Sequence, residues 1–99
     1  MNKIPYDHRR EIYADAIDKW GVETQCIVAI EEMSEVIKSI TKWMRLPFPE
    51  EENAIPSIIE EIADATIMLE QLRMIFDINN AVCEAMDAKV MRLKRRVEE

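Results

Sequence analysis

The chain is predicted to be all-α, an antiparallel bundle of about four helices completed by homo-oligomerisation. Three observations lead there. One glycine in 99 residues is too few for the tight turns of β architecture. Apolar residues recur at three- and four-residue steps along most of the chain, the period of an amphipathic helix. On two of these helices the apolar arc is wider than so short a chain can cover, and a second copy is the simplest cover. The length suits one domain, 1–99, able to bury about two-thirds of its extended-chain surface.

Residues 7–19 read as a short polar helix with Ile12, Tyr13, Ala16 and Ile17 as its apolar side, broken at Trp20-Gly21. A long helix follows from Val22 to Arg45, with Cys26, Ile30, Met33, Ile37, Ile40 and Met44 as its expected core stripe. Leu46-Pro47-Phe48-Pro49 ends it, because proline cannot continue a helix and the residue before it avoids helical angles. Glu50-Glu51-Glu52-Asn53 reads as a solvated loop. Pro56 suits the first turn of a third helix, which reaches Phe76 or Asp77. Asp77-Ile78-Asn79-Asn80 supplies turn and cap chemistry. The last helix runs from Ala81 toward Val97, with Val82, Ala85, Met86, Val90 and Leu93 as its apolar side.

Composition narrows the function classes. A hydrophobic share of 48% fits a globular chain and not a disordered one. The net charge of −7 disfavours binding to nucleic acid, whose phosphates repel an acidic protein. A phosphate-bearing substrate stays compatible where divalent cations stand between the two. Lys89, Arg92, Lys94, Arg95 and Arg96 crowd the C-terminal end, serving either the helix dipole or phosphate contact. Cys26 and Cys83 read as small buried hydrophobes, and His8 as a surface residue. With two cysteines, no signal-peptide pattern and no membrane-length apolar run, a reduced, cytoplasmic protein off the membrane is expected.

Two acidic clusters carry the chemistry: Glu31-Glu32-Met33-Ser34-Glu35 and Glu60-Glu61-Ile62-Ala63-Asp64. At about 100° per residue, Glu32 and Glu35 share a direction, as do Glu61 and Asp64. Ile58, Ala65, Met68 and Leu72 accompany the second pair; Val28, Ala29 and Val36 surround the first, with Gln25 one turn earlier. Acids that serve solubility lie opposite an apolar stripe, not inside it. Buried carboxylates are paired with cations or bound to metal. Oxygen-only ligands select hard cations, and Mg²⁺ on carboxylates and substrate phosphates suits hydrolysis of a phosphoanhydride.

Glu31-Glu32-x-x-Glu35, then 25 residues (36 to 60), then Glu61-x-x-Asp64 resembles the paired motif of the MazG-like all-α nucleoside triphosphate pyrophosphohydrolases. Trp20-Gly21 and Gln25 ahead of the first motif add to the likeness, which covers residues 20–96. The resemblance implies that Glu32, Glu35, Glu61 and Asp64 hold Mg²⁺, with Mn²⁺ as a substitute, and that Glu31 is an outer partner. It implies cleavage between the α- and β-phosphates, yielding a nucleoside monophosphate and pyrophosphate. A late basic motif of the family, lysine then asparagine and arginine at three-residue steps, corresponds to Lys89, Arg92 and Arg95, with Arg92 where asparagine is common. Trp20 and Trp43 are candidates to stack on a base. The expected partners are a nucleoside triphosphate and further copies of the chain, as homodimer or homotetramer.

Three rival readings stand beside this one. The acids are solvated helix faces; or the bundle holds a di-iron centre, which would need Glu-x-x-His pairs that are absent here; or the chain is a non-catalytic helical adaptor. Titration with Mg²⁺ separates an adaptor from an enzyme.

Overall fold

The computed structural model describes residues 3–47 and 50–99, and these form helices with no strand among them. The α-helices are α1 (Tyr6–Trp20), α2 (Val22–Arg45), α3 (Ile55–Ile75) and α4 (Asn79–Val97). The chain is therefore all-helical, as expected, and α2 has the expected bounds. The stretch expected to be a loop is instead a 3₁₀ helix, Glu50–Ala54. Glu50 and Glu52 are exposed on it, as acids without a partner are expected to be. Phe48 and Pro49, part of the expected break after α2, lie outside the described residues.

Local chemistry sets the boundaries. Gly21 has a φ of +92°, a backbone angle that favours glycine. Its N–H donates to the Ile17 carbonyl at 2.8 Å and its carbonyl accepts from Gln25 N–H at 3.1 Å, so a single residue joins α1 to α2. Pro56 occupies the first turn of α3, where a missing N–H costs nothing. At the other end Asp77 takes a φ of +53° and Ile78 N–H bonds back to the Arg73 carbonyl at 2.9 Å, a closure that satisfies a carbonyl left over at a helix end. α4 then starts at Asn79, earlier than the expected Ala81.

α2 and α3 form an antiparallel hairpin. Gln25 Nε2 donates to Gln71 Oε1 at 2.8 Å, and further along Glu32 meets Glu61 and Asp64. The seam between the two helices is mostly small and polar: Gln25, Ala29 and Ser39 from α2, and Ala65 and Gln71 from α3, are buried in it, with Met68 as the one large apolar residue among them. Ala29 is only 1% exposed. Alanines let the helices approach, and the Gln25 amide N–H finds a buried acceptor in Gln71, as buried polar groups require. α1 is pinned to α3 at Glu70, which accepts from the Tyr13 hydroxyl on Oε2 and lies 3.3 Å from Arg9 Nη1 on Oε1. Burial above all, then the hydrogen bond and charge of Glu70, push the Tyr13 hydroxyl up to about 12.

The stripe expected to be the core of α2 faces outward. Ile30 is 64% exposed, Ile37 67% and Met44 72%, with Met33 and Ile40 also exposed and Cys26 half-buried. The physical reason is matching: only the face with Gln25 and Ala29 has a complement on α3, in Gln71 and Ala65. α4 likewise touches α3 alone, where Arg73 reaches Asn79, Cys83 and Met86. Every residue from Cys83 onward is exposed. The expected apolar side of α4 is thus uncovered apart from half-buried Val82, and Cys83 is not the buried residue it was expected to be. His8 is exposed, as expected. Among the described residues no helix is long and apolar enough to cross a membrane.

Candidate metal centre

The α2–α3 seam gathers Glu32, Glu61 and Asp64, offering one carboxylate oxygen from each within 4.8 Å of the other two. Ala29 precedes Glu32 by one turn and Ala65 directly follows Asp64, so the cluster sits where small side chains have drawn the helices together. Glu32 and Glu61 are half-buried and Asp64 is exposed, which leaves the group open to water on one side. Among the described residues no basic side chain pairs with these three; the ion pairs formed are Arg9–Glu70, Lys38–Glu35 and Lys94–Glu98. Burial holds the Glu32 carboxyl above the usual carboxylate range, and the charges of Asp64, Glu61, Glu35 and Glu31 push the same way.

These residues fit a hard divalent cation. All the donors are oxygens, and like charges share one spot without a compensating cation. Oxygens on opposite sides of a Mg²⁺ ion stand about 4.2 Å apart, so small side-chain rotations would close the observed spread.

The other residues singled out from the sequence fall in different places. Glu35 lies outside the group of three, with its Oε1 3.3 Å from Lys38 Nζ, although its charge still acts on Glu32. Glu31 is exposed on the neighbouring face, and its backbone carbonyl accepts from Ser34 Oγ at 2.7 Å. Trp20 is 55% exposed and lines a groove of about 420 Å³ with Gln25, Val28, Met68 and Gln71; Lys19 Nζ stands 5.3 Å from its ring centroid. Trp43 lies near the other end of α2, roughly 32 Å along from Val22 by helical rise, so the two tryptophans of one chain cannot stack on one base. Lys89, Arg92 and Arg95 are exposed on α4, which makes no contact with α2.

Gln71 belongs to this seam and is absent from the residues picked by sequence. Its signal was present: it follows Asp64 by seven residues, on the same face as Met68, and is polar within an apolar stripe. The Tyr13–Glu70 anchor had no such signal, because its partners lie on different helices 57 positions apart. Comparison with protein-family models, curated proteins and solved structures returns no match.

Proposed function

We propose that the protein is a Mg²⁺-dependent nucleoside triphosphate pyrophosphohydrolase, cutting between the α- and β-phosphates to release a nucleoside monophosphate and pyrophosphate. The observation that carries this reading is the uncompensated trio Glu32, Glu61 and Asp64, at the water-open edge of a seam that also holds a groove lined by Trp20. Glu32, Glu61 and Asp64 would hold the cation, Mg²⁺ or Mn²⁺, and Glu35 would join them by turning from Lys38. When bound, the ion supplies charge neutralisation on the triphosphate and activation of water.

The remaining work falls to the chain itself. Gln25 precedes Glu32 by seven residues, roughly 10 Å along α2, a spacing that suits phosphates at the acids and a base in the groove. Trp20 offers its ring face for stacking, and the Gln25 and Gln71 amides border the same groove. Glu31 has an outer role at the rim.

The reading includes a cytoplasmic homo-oligomer, dimer or tetramer. The chain's accessible surface is 8093 Å², against about 5,800 Å² expected for a compact monomer of this mass. Its radius of gyration is 16.6 Å, against about 13 Å for a compact domain of this length. Both excesses support outer faces covered by further copies, an arrangement in which Lys89, Arg92 and Arg95 would serve as phosphate contacts.

Incubation with a panel of nucleoside triphosphates and Mg²⁺, followed by chromatography, tests the reaction. Monophosphate with pyrophosphate is expected; diphosphate with orthophosphate would sink the assignment. The same exposed apolar faces favour a second reading, a non-catalytic helical adaptor, for which calorimetric titration with Mg²⁺ would be silent.

A further inference from the structure

Arg73 plays no part in the proposed hydrolysis, and its surroundings are unusual. It is half-buried near the end of α3, and its guanidinium donates to neutral acceptors only: Asn79 Oδ1 at 3.5 Å, Cys83 Sγ at 3.8 Å and Met86 Sδ at 3.4 Å. Sulfur is a weak acceptor, so these bonds, two of them at exposed positions, leave the charge without a strong partner. The chain has 20 acidic side chains, yet among the described residues none pairs with Arg73.

Arg73 borders a cavity of about 150 Å³ between α1, α3 and the start of α4, and Arg10 of α1 lines the same cavity. Arg10 also lines the adjoining recess at the α3–α4 turn. The cavity has one carboxylate in its wall, Glu70, and that group is engaged by Arg9 and Tyr13. Cancelling Arg9 against Glu70 leaves two guanidinium charges over the cavity; Asp77 lines the adjoining recess with Arg10 but forms no ion pair among the described residues.

We propose that this cavity binds a small oxyanion, a phosphate or carboxylate group, between Arg10 and Arg73. The guanidinium fork is matched to both kinds of oxyanion. The cavity is about half the volume of sites that enclose ligands of nucleotide size and suits a small oxyanion. Position separates it from the carboxylate seam: Arg73 follows Asp64 by nine residues, half a turn round α3 and roughly 14 Å along it. A bound anion would tie α1 to the α3–α4 turn and so fix the direction in which α4 leaves.

The test uses the full chain in chelator, so that its outcome is independent of Mg²⁺ and of the hydrolysis proposed above. Inorganic phosphate and succinate are titrated separately at constant ionic strength, and the arginine Nε–H resonances are followed by NMR. The expected result is saturable movement of the Arg73 signal with a midpoint of about 1 mM, the range of a weak small-anion site. Arg10→Gln, a change at an exposed position, should weaken it at least tenfold with the fold intact, as should Arg73→Gln, while Glu61→Gln leaves it unchanged. The tighter of the two anions names the group the site takes. No saturable movement with either anion up to 50 mM, on the order of fifty times that midpoint, or binding that survives both arginine substitutions, would overturn the proposal.

Discussion

The two faces of α2 are built on opposite plans. The inner face, Gln25, Ala29, Glu32 and Ser39, is small or polar and lies against α3. The outer face, Ile30, Met33, Ile37 and Met44, is large, apolar and exposed, and among the described residues nothing covers it. Ordinary amphipathic helices reverse this, with apolar residues in and polar residues out. The inversion separates two tasks within one helix. The inner face holds the polar groups of the candidate site close together, and the outer face carries the apolar area that we assign to assembly.

The largest effect is expected from the outer face. Ile37→Glu on a surface that is free in solution should change stability by no more than about 0.5 kcal/mol. On a face covered by another copy it would bury an unpaired charge, costing about 3 kcal/mol or more, and light scattering should show loss of the oligomer. An unchanged mass and unchanged urea midpoint would mean that this face is left bare.

Tyr13 lies away from both faces and provides a reference. Its hydroxyl is held near 12 in the folded chain and titrates near 10 when unfolded. The folded state therefore keeps a proton that the unfolded chain gives up, and this contribution is intact below pH 10. It is lost as pH rises toward about 12, by roughly 2–3 kcal/mol. Urea unfolding across that range should show the decline in the parent and lack it in Tyr13→Phe, while Ile37→Glu should leave its slope alone.

The inner seam is tested by its glutamines. Gln25→Leu leaves the Gln71 amide buried without its partner and should cost about 1–3 kcal/mol. Replacing both residues by Leu removes both polar groups and should recover most of that loss. A double change that costs the sum of two singles would show that the pair is not coupled.

The smallest effect is expected at Glu32. Its raised carboxyl means that, without metal, the folded chain takes up a proton more readily than the unfolded one. This contribution favours the fold below the ordinary glutamate range and fades as pH climbs through the raised value. Melting in chelator should show that decline in the parent and a flatter profile in Glu32→Gln.

These contrasts also show what was legible in the sequence. Gly21, Pro47, Pro56 and the Asp77–Asn80 turn mark the helix limits because they act through local backbone geometry, and α2 matches to the residue. That Glu32, Glu61 and Asp64 come together at the α2–α3 seam was legible because their spacing sets them among Val28, Ala65 and Met68, although Asp64 itself is exposed. Which stripe of α2 is buried was not, since hydrophobicity ranks Ile30 and Ile37 above Ala29 and says nothing about which face has a complement on α3. The Glu35–Lys38 pair is a choice of rotamer, and spacing does not resolve it.

If the inner seam is a divalent-cation site, melting curves of parent and Glu61→Gln, each in chelator and in Mg²⁺, will separate the two proteins. The parent should gain stability with Mg²⁺, by mass action on the folded state. Glu61→Gln should melt in chelator no lower than the parent, having lost one of several crowded charges, and gain much less from Mg²⁺. Equal stabilisation of both proteins by Mg²⁺, or none of the parent, would contradict a cation site in the seam.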